Sequence, residues 1–316
     1  VISSTERKWV QMKSCIYPPT VRERAIRVQE SQTVQFHGIR YIYYLQAMHV
    51  NVQAHIKENL RKAFTAREIQ IFMQPQVCLK DGAICAAQAF PYWLQPDGSW
   101  NLPEQFLPAL EEAGLIEEMD FYVLEEVARL QQHYTKREMT FFPVMVTFSA
   151  ATLSLPNTVE HIQKILSDYG LEGKDIQIAV QERCFFEKIE QLVLNLKELQ
   201  QLGCTLCLDN FGSSSRSFSV LLQLPVHQVK LNHLQEWNGK GEQSDKEKLH
   251  DLVQLLRVVG VEIILNGVST AEDLQFLHRL SVEKAQGSYW GASLHWRDFL
   301  HQDMLDKQQE SCYYIE

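Results

Sequence analysis

The sequence predicts an α/β fold: a (β/α)8 barrel of TIM type with an antiparallel first strand pair and a short N-terminal extension. Three observations predict it. From residue 69 onward, short apolar strands alternate with amphipathic helices, the order that gives a mainly parallel sheet with right-handed crossovers. The alternation yields eight strands in roughly 240 residues, the usual size of such a barrel. No glycine-rich phosphate loop follows the first strand, whereas an open doubly wound sheet, the competing fold, usually carries one there.

The elements follow in order. Residues 69–74 read as the first strand and 83–90 as the second, joined by the turn signal Lys80-Asp81-Gly82, so the two should run antiparallel. Helices are expected around 103–115, opening at Pro103, and around 117–136. Strand 144–148 comes next, then helix 157–169, strand 176–180 and helix 187–202, closed by Gly203 at its C-cap. The remainder reads as strand 204–209, helix 214–223, strand 227–231, helix 244–259, strand 261–265, helix 270–279, a short strand at 282–286 and a closing helix from 296. Residues 1–50 are different in kind. Stretches 26–36 and 39–47 flank His37-Gly38 and suggest a β-hairpin, the tail of an upstream domain. Residues 51–66 suggest an amphipathic helix leading into a barrel domain that occupies 51–316.

Composition narrows the function. The 316 residues are 45% hydrophobic and 22% charged, which supports a sizeable core and argues against long disorder. The net charge of −9 disfavours phosphate-backbone binding, so no direct DNA binding is expected. The 7 cysteines are an odd, scattered set and read as reduced, buried thiols of a cytoplasmic protein. Cys204 and Cys207 have redox-motif spacing but fall inside a strand, on opposite faces. No stretch reaches the roughly 20 apolar residues that span a bilayer. The chain begins with Val, which suggests a piece of a longer protein, with a membrane anchor allowed in the remainder. The histidines show no metal-binding spacing. Aromatic residues gather in loops, at Tyr92, Trp93 and Trp100, at Phe185 and Phe186, and at Tyr289, Trp290 and Trp296; these suit core lids or partner anchors.

Ordered landmarks then carry a resemblance. They are Phe72-Met73-Gln74-Pro75, Leu102-Pro103-Glu104-Gln105-Phe106-Leu107, Glu112-Ala113-Gly114-Leu115-Ile116, Asp209-Asn210-Phe211-Gly212, Leu224-Pro225-Val226, Val229-Lys230-Leu231, Asn266-Gly267-Val268 and Gln286-Gly287. Over about 51–300 the chain resembles the EAL-domain family, bacterial phosphodiesterases of cyclic di-GMP. The resemblance implies a barrel whose mouth holds two divalent cations on clustered carboxylates. Carried over position by position, the signature Glu falls on Gln88, and the phosphate-gripping Arg on Tyr92. Metal ligands fall on Thr147 and Ala179, and the paired aspartates on Asp209 and Asn210. The general base falls on Asn266 and the Glu after it on Ser269. Gln74, Gln286, Lys230 and the loop-supporting Glu182 match the family, while Ser213-Ser214-Ser215-Arg216 replaces the Gly-Tyr pair of a loop that couples ligand, metal and dimerisation.

One carboxylate among amides and a hydroxyl should hold Mg²⁺ weakly, and without metal no hydroxide forms at neutral pH. The expectation is therefore no metal, no cofactor and no enzyme: a degenerate regulatory module acting through protein partners. Its alternatives are a non-hydrolysing cyclic di-GMP receptor and a residual phosphodiesterase. Weak cyclic di-GMP binding and a homodimer go with this reading. Asp209 and Lys230 are expected to pair with each other. An upstream cyclase-like domain is usual in the family, and no Gly-Gly-Asp-Glu-Phe motif is present here.

Overall fold

The structure is a computed structural model that describes residues 58–135, 142–181, 189–212, 217–232, 243–280 and 282–299. The N-terminal hairpin expected within 1–50, the boundary at residue 50, Glu182, Phe185, Phe186 and the Ser213–Arg216 loop all lie outside the described residues. The chain divides into two compact units, Val1–Gln70 with Pro91–Ile116, and Ile71–Phe90 with Glu117–Glu316.

The strands are β1 (Ile69–Cys78), β2 (Ile84–Leu94), β3 (Trp100–Asn101), β4 (Val144–Phe148), β5 (Ile176–Gln181), β6 (Thr205–Asp209), β7 (Gln228–Leu231), β8 (Glu262–Asn266), β9 (Lys284–Gln286) and β10 (Leu294–His295). They form one sheet in the order β10-β1-β9-β8-β7-β6-β5-β4-β2-β3, and a further β1–β2 pairing closes the eight middle strands into a barrel. From β2 through β4 to β9 the strands run parallel. β1 runs antiparallel to β9, and hence to β2, as the tight turn predicted. Thr147, Ala179 and Cys207 stand side by side on β4, β5 and β6.

Every predicted strand is found. β1 and β2 run four residues further than expected, through Pro75 and Pro91; proline removes a donor but does not end an extended chain. β3 and β10 were not expected. Each is two residues long, too short to show a period of two. The first helix is shorter than expected, at Pro103–Glu112, and the second is Ile116–Thr135. A short helix at Ala150–Leu153 was also missed.

The barrel interior is packed. Met145, Ala179, Cys207 and Ile264 are fully buried and in contact. The surrounding helices dock by apolar stripes at helical spacing: Ile162, Ile165 and Leu166 on Thr158–Tyr169, and Leu192, Leu196 and Leu199 on Ile189–Gln201. Burial of each such side chain stabilises the fold by about 1.5–3 kcal/mol. In the smaller unit, Trp93 meets the Phe106 ring edge-on at 5.7 Å and donates its indole N–H to Glu68 at 3.2 Å. No helix among the described residues is long and apolar enough to cross a membrane.

Candidate functional site

Parallel strands bring their C-terminal ends to one rim, and here six of them and the antiparallel β1 carry polar side chains there. β7 supplies Lys230, which is 2% exposed, and β2 supplies Gln88, equally buried. The Lys230 ammonium donates to Gln88 Oε1. Gln88 Nε2 donates to Thr147 Oγ1 at 3.2 Å. Gln286 on β9 donates through Nε2 to Gln88 Oε1 at 3.1 Å and to Gln74 Oε1 at 2.9 Å. Gln74 in turn donates to the carbonyl of Gly291 at 3.4 Å.

A second cluster forms around Asp209. Its Oδ1 accepts from the Asn210 amide N–H at 2.7 Å and from Asn232 Nδ2 at 3.1 Å. Asn232 Nδ2 also lies 3.3 Å from Asn210 Oδ1, and Asn232 Oδ1 accepts from Asn266 Nδ2 at 2.9 Å. Asn210 adopts φ 60°, a left-handed conformation that asparagine tolerates better than most residues.

The expected Asp209–Lys230 pair is not made among the described residues. The two residues lie on neighbouring strands, but the long Lys230 side chain reaches across to Gln88, and Asp209 is held by Asn232. Ala179 contributes only a methyl group to the packed interior. The Ser269 N–H and hydroxyl both donate to Asp273 Oδ2, at 2.9 and 3.1 Å. Tyr92 lies on β2 in the smaller unit.

Sequence reasoning missed two members. Asn232 links Asp209, Asn210 and Asn266. Gln76, fully buried, donates to Gln286 Oε1 at 3.3 Å and to Met145 Sδ at 3.5 Å. Both carried a signal, because each stands two residues beyond a recognised mouth residue, Lys230 or Gln74, and so shares its strand face.

The donor set does not fit a pair of divalent cations. Asp209 is the one carboxylate in the network described, and no cluster of three or more His, Cys, Asp or Glu forms among the described residues. Gln88 Oε1, the oxygen standing where the resemblance places a metal ligand, already accepts from an ammonium and an amide. Mg²⁺ and Mn²⁺ prefer anionic oxygens in octahedral array.

The EAL domain model matches residues 57–293, and the chain belongs to that family. It is 26% identical over 247 residues to the probable cyclic di-GMP phosphodiesterase PdeG of Escherichia coli K12, covering 78% of this chain and 49% of the relative. It is 25% identical over 232 residues to the cyclic di-GMP phosphodiesterase NbdA of Pseudomonas aeruginosa, covering 73% and 30%. The chain thus spans half or less of these relatives. Among solved structures, it is similar to the MucR phosphodiesterase in complex with c-di-GMP (TM-score 0.70, 24% identity, 77% of this chain and 98% of that one). It is also similar to the FimX EAL domain of Pseudomonas aeruginosa bound to c-di-GMP (TM-score 0.67, 22%, 74% and 94%). These likenesses share the barrel fold. The names of the relatives overturn one expectation, that the chain is not an enzyme: the proteins it matches along most of its length are named phosphodiesterases. The changed ligand positions bear on cation binding and do not by themselves decide activity.

Proposed function

We propose that the chain is a cytoplasmic regulatory module of cyclic di-GMP signalling that meets the dinucleotide at its barrel mouth and passes the signal on through a protein partner. The observation that carries this reading is the Lys230–Gln88–Gln286–Gln74 network. It offers a buried ammonium to a phosphate, and amide donors and acceptors to a base or ribose edge. The lone carboxylate at Asp209 means that contact with the ligand draws on these side chains more than on bridging cations. Tyr92 supplies no charge where the resemblance has an Arg, so binding should be weak, at least tenfold below that of a site with the guanidinium.

A second reading, turnover of cyclic di-GMP, is favoured by the names of PdeG and NbdA. Calorimetry of the chain with cyclic di-GMP, followed by chromatography of the reaction for the linear dinucleotide, tests both. Binding that is lost in Lys230→Met supports the proposal. No measurable heat at millimolar ligand sinks it. Product formation that Asp209→Ala abolishes establishes the second reading.

A further inference from the structure

One line of side chains leaves the mouth network and is not used by it. Gln74 belongs to the mouth, and Phe72 stands two residues before it on the same face of β1. β10 pairs with this part of β1, setting His295 opposite Phe72 and Leu294 opposite Met73. The Phe72 and His295 rings meet edge-on with centroids 5.6 Å apart. The Trp296 ring follows at 5.6 Å from His295, tilted by 37°. The Arg297 guanidinium lies over Trp296, 5.1 Å from its ring centroid. Phe72, His295 and Trp296 are half-buried and Arg297 is exposed. The result is a ladder of three rings and a cation that begins beside Gln74 and ends in solvent.

We propose that this ladder is a stacking subsite for a purine base, with Arg297 pairing with the attached phosphate. Flat rings and a guanidinium plane are the groups on which proteins stack bases, and every base has a π-face to offer. Stacking here would add affinity to that of the mouth. Burial holds the His295 imidazole below its usual range; Asp298 pushes the other way, and Arg297 adds to the lowering. Its Nδ1 accepts from the Arg297 backbone N–H at 3.3 Å, the role of an uncharged ring nitrogen, which suits the ring to stacking. The chain's net charge of −9 makes a small nucleotide a better occupant than a nucleic-acid strand, which needs a basic groove.

The inference rests on the reading of the mouth as a nucleotide site, and its test separates the two. Tryptophan emission of the full chain is titrated with cyclic di-GMP and, separately, with guanosine monophosphate. Trp296→Leu and Arg297→Gln are measured alongside, with thermal melts to confirm folding; Arg297→Gln is an exposed change that leaves the fold intact. Both ligands are expected to quench the wild-type chain. Trp296→Leu should weaken binding about tenfold, the scale of one base–aromatic stack. Arg297→Gln should weaken it less and flatten its salt dependence. Absence of quenching by millimolar guanosine monophosphate overturns the ladder whatever cyclic di-GMP does. So does unchanged cyclic di-GMP affinity in both variants. Failure of cyclic di-GMP to bind at all, with the monophosphate still quenching, sinks the reading of the mouth and leaves the ladder.

Discussion

At the scale of single residues, the mouth is held by amides. Asn232 is the keystone, since it satisfies Asp209 and Asn266 at once. Asn232→Ala leaves a carboxylate oxygen and an amide short of partners, so it should lower unfolding stability by about 1–3 kcal/mol. Urea denaturation measures this; a midpoint matching wild type would contradict it. Lys230 is a buried cation facing an amide, an arrangement that carries a desolvation cost. Lys230→Met should therefore keep or raise the melting temperature while lowering cyclic di-GMP affinity, and a clear drop in melting temperature would show that the ammonium stabilises the fold. These two residues also mark what the sequence could tell. Gln74, Gln88 and Gln286, which the sequence assigns to one pocket, are joined by hydrogen bonds even though β1 and β2 run on past the first two. The Asp209–Lys230 pairing was misjudged because strand adjacency does not fix where a long, flexible side chain ends.

At the scale of elements, close backbone approach and capping position the site. A Cβ on Gly287 would stand 2.1 Å from the Val268 carbonyl oxygen, so only glycine fits between β9 and the loop after β8. Gly287→Ala should displace the Gln286 backbone, which accepts from Gly267 and Val268, and with it the Gln286 side chain. Weaker ligand binding and a lower melting temperature are both expected, and calorimetry with a thermal melt checks them.

Helix Ala271–Leu280 begins with a reciprocal cap: Thr270 Oγ1 accepts from the Asp273 N–H at 3.1 Å, and Asp273 Oδ2 accepts from the Thr270 N–H at 3.0 Å. Burial raises the Asp273 carboxyl, but hydrogen bonds from the N–H groups and hydroxyls of Ser269 and Thr270 outweigh it and hold its pKa below the usual value. A carboxyl depressed in the folded state stabilises it fully above the unfolded value and loses that contribution as pH falls through the folded one. Asp273→Asn should therefore cost about 1 kcal/mol at pH 7, and the cost should fade as acid protonates the folded-state carboxyl. A pH-independent difference would contradict this. Burial also pushes the Cys204 thiol up to about 11, and raises Cys207 further, Asp209 adding to the effect there. Both thiols should stay unlabelled by alkylating reagents in the native state at pH 8, which fits the sequence reading of that pair as structural.

At the scale of the whole molecule, the alternation of strands and helices was legible because a closed parallel barrel repeats one unit, and repetition survives errors at each boundary. The family was legible for a different reason: short landmarks at strand ends keep their order even when the chemistry at those ends changes. Activity was not legible. Changed ligand positions alone suggest loss of function, whereas the relatives that match most of the chain are named phosphodiesterases. A homodimer, expected from the family, belongs with the proposed regulatory role. Light scattering of the chain should give twice the 36.7 kDa mass, and a monomer at all concentrations would remove it from the account.

The central claim we propose is that amides around the Lys230 ammonium and the Asp209 carboxylate organise the mouth without divalent cations. Anomalous diffraction from crystals soaked in manganese tests it most directly. The account predicts no ordered ion within coordination distance of Asp209 and Gln88, with the Lys230–Gln88 contact preserved. Two ordered manganese ions bridged at Asp209, with Lys230 displaced, would contradict it.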